Sequence, residues 1–407
     1  AEEYRRRRHR VLVVAPEFEG KRLPPRAAAL VERVPAIQKF NGSDFSVKLP
    51  IVGGLMPRLD AFEADIIHAH HPFLLGDTAL RIAATKNAPV IFTHHTRYED
   101  YTHYMPLASE ALTRVAKEVP THFANLCDGV IAPSESIARL IRRRGVKVPI
   151  AVVPTGIDIA AFARGDRAAF RKKFRIPPRA LVIGCVSRLA KEKNLGYLAN
   201  AVALFLRSHP QARFLVVGEG PAEEELRATF ARLRVADRLI LAGKQTGKAL
   251  HSAYRAMDIF AFASRSETQG MVIAEAMAAK LPVVALNATG VREVVENGRN
   301  GFLLSARAKP AEFAAHLARL AASPAQRRRF SSGAQATAKL FSRERCADLA
   351  LKFYGEVRRA TRPRRRSHEK NPWESYLQRL GVEWDLLASK AEVLASAVFS
   401  EKQSKAS

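Results

Sequence analysis

Glu267 and Glu275 stand eight residues apart in SRSETQGMVIAEAM, one before and one inside a segment whose spacing predicts a helix starting near Gly270. A helix start leaves the amides of Gly270, Met271 and Val272 without intrahelical acceptors, and such an end attracts phosphate. Glu267 then lies on the loop before the helix, while Glu275, in its second turn, leans back toward the N-terminus. Both acids face one ligand from different sides of the phosphate, which suits hydrogen bonding to two sets of sugar hydroxyls. Taken alone, the spacing fits equally well a Glu267 that complements the helix dipole and a Glu275 exposed on the helix.

Cations are placed to complete such a site. In LVIGCVSRLAKEKNL, Arg188 and Lys193 directly follow an apolar run, where positive charge can neutralise a diphosphate and stabilise it as a leaving group, with Lys191 their surface neighbour. Gly218 and Gly220 in FLVVGEGP either let a ligand approach the backbone or simply turn a strand into a helix. Histidines gather at two further run ends: His68, His70 and His71 in DIIHAHHPF, and His94 and His95 in IFTHHTRYEDYTHY. They read as hydrogen-bonding groups lining a polar cleft. No ligand spacing on a helix accompanies them, so no metal is expected. Without a nucleophile elbow, a P-loop or HExxH, hydrolase and kinase chemistry is a poor fit.

The elements that position these residues are short β-branched runs alternating with helical patterns. VLVVAP, DIIHAH, APVIFTHH, GVIAPS and IAVVPTG form one series; LVIGCVS, ARFLVVGEG, RLILAG, DIFAFAS and LPVVALN form a second. Strands apolar at nearly every position are buried on both faces, and alternating βα units imply parallel, doubly wound sheets. In such sheets ligands bind at the carboxyl ends of the strands, where the residues above fall. The expected architecture is α/β with two Rossmann-like domains facing a cleft: residues 1–163 and 164–345, a helix over 346–361 packing back toward the first domain, and a basic linker with a helical extension over 362–407. Tyr376, Leu377, Leu380, Trp384, Leu387 and Val393 in that extension fall near helical spacing and read as a surface that docks on the protein.

The chain of 407 residues is 47% hydrophobic and 26% charged, as a soluble globular protein of this size would be. No apolar run approaches the roughly 18 residues of a membrane span. The opening AEEYRRRRHR is charged and is no secretory signal. Cys127, Cys185 and Cys346 lie far apart and read as buried free thiols of a reduced, cytoplasmic protein. A formal net charge of +27 invites a polyanion. The arginine clusters RRRRHR, LIRRRGVK, AQRRRF and RRATRPRRR are either a solvated surface with helix-end cations or a functional basic face.

The order and spacing of GCVSRLAKEKNL, FLVVGEGP, LILAGKQ, SETQGMVIAEAMAAKLPVVA, TGVREVVENGRNGFLL and the connecting VVPTGIDIAAF resemble the retaining glycosyltransferases of family 4, which have the GT-B fold. The resemblance spans about residues 8–355. It implies that Glu275 holds the ribose of a nucleotide sugar, Glu267 the hexose hydroxyls, Arg188 and Lys193 the diphosphate, and the amides of Gly270 to Val272 the distal phosphate and sugar. His95 would then contact the sugar near the reacting carbon. It also implies metal-independent chemistry with no cofactor beyond the donor. A narrower similarity, in THHTRYEDYTHYMP and in Gln269 of ETQG, is to diacylglycerol glucosyltransferases, monotopic enzymes of anionic membranes. Through it UDP-glucose is the expected donor and a lipid hydroxyl the acceptor, with His70, Tyr98, Tyr101, His103 and Tyr104 on the acceptor side and a peripheral place on the inner membrane face. The family's first strand, glycine-rich turn and helix precede the segment matching RRRRHRVLVVAPEFEG, so Ala1 to His9 would be the end of a helix whose strand is missing, leaving an apolar gap in the first sheet.

Four other readings stand beside this one: the same family with a phosphoinositide, polysaccharide or small-molecule acceptor, a nucleotide-sugar epimerase on the same fold, an inactive truncated form, and a basic nucleic-acid-binding protein. The last predicts aromatic residues interleaved with Lys and Arg along a groove, whereas the arginines cluster at helix ends, so no nucleic acid is expected.

Overall fold

Strands with no polar face must lie between two layers of helices, and the second series of runs does so. The computed structural model describes residues 1–16, 25–34, 36–37, 47–48, 57–100 and 110–368, and the chain divides into two compact units, Pro154–Cys346 and the residues on either side of it.

In the second unit six parallel strands form one sheet: β7 (Val182–Val186), β8 (Arg213–Val217), β9 (Leu239–Leu241), β10 (Ile259–Phe262), β11 (Val283–Leu286) and β12 (Gly301–Leu304). Their order is β9-β8-β7-β10-β11-β12. Alternate side chains of β7 feed opposite cores: Val182 and Val186 join Leu215, Val217 and Phe260, while Ile183 and Cys185 join Phe214, Val216 and Phe205. From β7 the chain winds outward through β8 and β9, then returns to place β10 on the other side of β7. The reversal leaves the loops after β7 and β10 diverging from neighbouring strand ends, and doubly wound sheets bind ligands at that point. Arg188 and Lys193 follow β7, and Glu267 follows β10.

The expected domain boundary at 163/164 moves to Val153/Pro154. The reason is the helix Ile159–Ala163, which Asp158 caps by accepting from Ala161 N at 2.9 Å. It buries Phe162 against Tyr254 and His251, ring centroids 5.4 and 4.6 Å away, so the connector belongs to the second core. Arg171, 4% exposed, fastens the next turn by donating to the carbonyls of Ala180 and Ala256 and to Asp258. The three cysteines are free and buried.

In the first unit β3 (Ile67–Ala69), β4 (Val90–Thr93), β5 (Gly129–Ala132) and β6 (Ile150–Val152) form a parallel sheet in that order. A separate parallel pair consists of β1 (Val13–Pro16) and β2 (Val31–Val34). Between the pair and the sheet lies a cavity of about 280 Å³, lined by Val14 and Pro16 on one side, Ile67 and Ala69 on the other, and Leu75 and Ala79 beneath. The helix Glu2–Arg6 precedes β1.

The last helix, Arg343–His368, is grouped with the first unit from Ala347 onward, where Phe353 and Val357 pack with Ile91 and Ile131. Gly129 receives it closely, since a Cβ there would lie 2.8 Å from the Phe353 ring. The helix runs through residue 368, across the start of the stretch expected as a linker from residue 362. The expected extension residues Tyr376 to Val393 lie outside the described residues. Tyr354 on this helix hydrogen-bonds His68 Nδ1, whose Nε2 lies 2.6 Å from Thr93 Oγ1.

Burial sets the protonation of these histidines. It pushes His68 well below its usual 6.5 and His94, 3% exposed, down to about 4. Folded His94 therefore stays neutral where the unfolded chain already takes up a proton. The stability it contributes is complete above pH 6.5 and is lost as pH falls toward 4, at up to about 1.4 kcal/mol per pH unit. Thermal melts between pH 7.5 and 4.5 are expected to show a falling Tm below pH 6.5, with a shallower slope for His94→Gln; parallel slopes would contradict this account.

Candidate functional site

The loop after β7 leaves the sheet at Ser187 and is held by glycine on the neighbouring strand end. Gly218 and Gly220 have φ of 144° and 150°. A Cβ on them would lie 1.8 Å from the Ser187 carbonyl and 2.4 Å from that of Leu189. What approaches these glycines is thus the backbone of the Arg188 loop, fastened by Ser187 N to Val217 O, Leu189 N to Glu219 O and Ala222 N to Leu189 O at 2.9–3.1 Å. They fix the place of Arg188. A short 3-10 turn, Lys191–Lys193, ends at Asn194 in the left-handed conformation, and Asn194 donates to the Ala263 carbonyl at the end of β10.

That turn brings the two loops together. Lys193 Nζ lies 2.8 Å from Glu267 Oε1, both side chains about one-seventh exposed (15% and 14%). Arg188 pairs with Glu192, whose carboxylate is almost fully covered, and Ser266 Oγ donates to the Glu192 carbonyl. Glu192 has no signal of its own in the sequence beyond its place four residues after Arg188. Lys191 is exposed.

The helix after β10 is Met271–Ala278, with Gly270 as its N-cap at φ 73° and no capping side chain. The first i to i−4 bond is Ala274 N to Gly270 O, so the amides of Gly270, Met271 and Val272 precede the ladder. Two contacts set the aim of this terminus. Gln269, 4% exposed, pairs with Thr155 in both directions, its Oε1 accepting from Thr155 N at 2.7 Å and its Nε2 donating to Thr155 O at 3.1 Å. Gly290 lies against the Gln269 amide, where a Cβ would come within 2.8 Å. Glu275, one turn further on, accepts from Tyr254 OH at 2.7 Å. Burial pushes its carboxyl above the usual range, and the tyrosine bond opposes that shift.

Arg188, Lys193, Glu267, Glu275 and the three amides thus sit on two loops and one helix that touch one another at the reversal of strand order. Such a set offers two cations and oriented N–H groups to a diphosphate, and carboxylate oxygens to hydroxyls.

In the first unit His68 and His70 stack at 4.1 Å, and His70 Nδ1 lies 2.9 Å from His95 Nε2. His70 and His95 therefore share one proton between them, and the tautomer of each depends on the other. Tyr98 packs edge-on against His71, Phe73 and His94. Tyr101, His103 and Tyr104 lie outside the described residues. Among the described residues no three His, Cys, Asp or Glu side chains gather as a metal ion would need.

Comparison with known proteins places the chain in a family. Residues 1–161 match the family description "Glycosyltransferase Family 4" and residues 166–337 match "Glycosyl transferases group 1". An alpha-monoglucosyldiacylglycerol synthase of Acholeplasma laidlawii is 26% identical over 77% of this chain and 85% of its own length; one from Streptococcus pneumoniae is 34% identical over 62% and 58%. A D-inositol 3-phosphate glycosyltransferase of Segniliparus rotundus is 32% identical over 72% of this chain and 67% of its own. Among solved structures, Anabaena HepE in complex with UDP superposes with a TM-score of 0.62 at 24% identity, covering 80% of this chain and 85% of that one. Sucrose-phosphate synthase from Thermosynechococcus elongatus does so at 0.63 and 22%, over 82% and 91%. Two parallel α/β units are the GT-B architecture, and the chain belongs to the family 4, group 1 glycosyltransferases.

Proposed function

We propose that the chain transfers a hexose, glucose from UDP-glucose, to a lipid hydroxyl of the diacylglycerol type, with retention of the α configuration and without a metal. The observation that carries the donor half is the Lys193–Glu267 pair at the start of an uncapped helix, with Arg188 held alongside. In this reading the diphosphate lies over the amides of Gly270 to Val272 and displaces Lys193 from Glu267. Lys193 and Arg188 then take the charge that develops as the C1–oxygen bond to phosphate breaks. Glu267 turns to the hexose hydroxyls and Glu275 to the ribose. The acceptor hydroxyl attacks C1 from the leaving-group side, and its proton passes to the departing phosphate oxygen, so no protein nucleophile is used. On the first unit, we assign His95, oriented through His70, to the sugar and Tyr98 to the acceptor.

The lipid acceptor is supported by the relatives named alpha-monoglucosyldiacylglycerol synthases and by the surface of the helix Glu135–Arg143. Ile137, Ala138 and Ile141 are buried there while Arg139, Arg142 and Arg143 are exposed. No described helix is long and apolar enough to cross a membrane, and a basic face of this kind suits peripheral attachment to an anionic surface, at about 1 kcal/mol for each arginine near it. A second reading replaces the lipid by a phosphorylated polyol, which the inositol phosphate glycosyltransferases favour at 30–32% identity.

Incubated with UDP-glucose and diacylglycerol in anionic vesicles, the protein is expected to form an α-glucosyl lipid. Transfer only to inositol phosphate would select the second reading, and transfer to neither would reject both. Lys193→Ala is expected to lower kcat by roughly 10²–10³-fold, as loss of one group opposing transition-state charge does; an unchanged kcat in the folded variant would remove Lys193 from the mechanism. Arg142→Ala with Arg143→Ala is expected to weaken vesicle co-sedimentation by roughly 30-fold at low salt, which is about 2 kcal/mol for two arginines. Undiminished co-sedimentation would place the membrane face elsewhere.

A further inference from the structure

Tyr254 is a fully buried phenol in an aromatic core. It lies on the helix Gly247–Ala256 with its ring 5.4 Å from Phe162 and 5.8 Å from Phe260. At such a position phenylalanine satisfies packing equally well, and the hydroxyl adds a desolvation cost unless it finds a partner. It finds Glu275 Oε2 at 2.7 Å, with the Val272 carbonyl farther away at 3.3 Å. A hydroxyl has one proton, and the nearer acceptor, a carboxylate, takes it. Glu275 Oε1 is left with no protein hydrogen bond among the described residues.

From this geometry we infer that Tyr254 is a positioning residue for donor binding: it locks the plane of the Glu275 carboxylate, so that Oε1 and the remaining lone pair of Oε2 accept from the two vicinal hydroxyls of the donor's ribose. The inference rests on the proposed role of Glu275 in holding that ribose. Three features of the site agree with it. Glu275 is enclosed by a helix whose neighbours Ala274, Ala276 and Met277 are all buried, so no other polar side chain of its own helix holds the carboxylate. Burial favours the neutral acid, which would present a donor where the diol needs acceptors, and the phenol bond opposes this. Glu275 lies on the same helix as Val272, one of the amides assigned to the phosphate, so ribose and phosphate sites keep a constant spacing.

The test compares UDP with 2′,3′-dideoxy-UDP by calorimetry on the whole chain, wild type against Tyr254→Phe. Wild type is expected to prefer UDP, and Y254F to lose roughly tenfold in affinity for UDP while binding the dideoxy analogue within about twofold of wild type, the loss expected for one hydrogen bond to a charged group. The ratio of wild-type to Y254F affinity for UDP is expected to grow as pH falls from 8 to 5.5, since the unsupported carboxyl protonates at higher pH. Glu275→Gln gives the same comparison from the other side, and the double variant is expected to bind UDP as Glu275→Gln does alone. If Y254F weakens both nucleotides equally, or neither, or if the two substitutions add in full, Tyr254 is merely structural and the inference falls while the ribose role of Glu275 stands. If wild type itself binds both nucleotides equally, the ribose role fails and the inference with it.

Discussion

The ion pair between Lys193 and Glu267 is the contact on which the second unit's site depends. It joins two loops that leave adjacent strands in diverging directions, and its partners are 74 residues apart in the chain. Both side chains are largely covered, and removing Lys193 would take from the Glu267 carboxylate the cation that offsets its desolvation. A ligand with two negative charges for Lys193 and hydroxyls for Glu267 would replace the pair without leaving either group unsatisfied. The site in this state is therefore internally neutralised in the arrangement that the donor would take over.

Around that pair, backbone geometry does most of the positioning. Gly218 and Gly220 admit the Arg188 loop where any side chain would collide with its carbonyls, and Gly290 admits the backbone at Gln269. Gln269 then mimics a strand partner for Thr155 with its side-chain amide. Side chains that aim the candidate groups come from a further layer: Glu192 for Arg188, Tyr254 for Glu275, and His70 for His95. Placing the charged residues on strand ends and a helix start, rather than on long loops, limits how far they can drift.

Much of this was legible in the sequence because the physics is local. Runs such as LVIGC and DIFAF are apolar at every position and can only be covered strands, and Gly270 followed by MVIAEAM marks a helix start by its own conformation. The residues that sit on strand ends could therefore be named before their distances were known. What was not legible depends on contacts distant in sequence. Tyr254 looks like any buried residue of an amphipathic helix, and only its 21-residue separation from Glu275, closed by the fold, gives it a partner. Gly218 and Gly220 were open to a ligand role because a glycine's need for space does not say what fills it. The domain boundary lay ten residues earlier than expected because the apolar face of Ile159–Ala163 is silent about which core it joins. The last helix outran its expected end at Pro363, and nothing local in the sequence marks where it stops.

The central claim, that the helix terminus with Arg188, Lys193, Glu267 and Glu275 is the seat of a nucleotide diphosphate, is tested most directly by a crystal structure of this chain grown with UDP. The account predicts the distal phosphate at hydrogen-bond distance, about 3 Å, from the amides of Met271 and Val272 and from Lys193 Nζ, with the ribose on Glu275. UDP seated away from these groups, or the Lys193–Glu267 pair left intact beside a bound nucleotide, would contradict it.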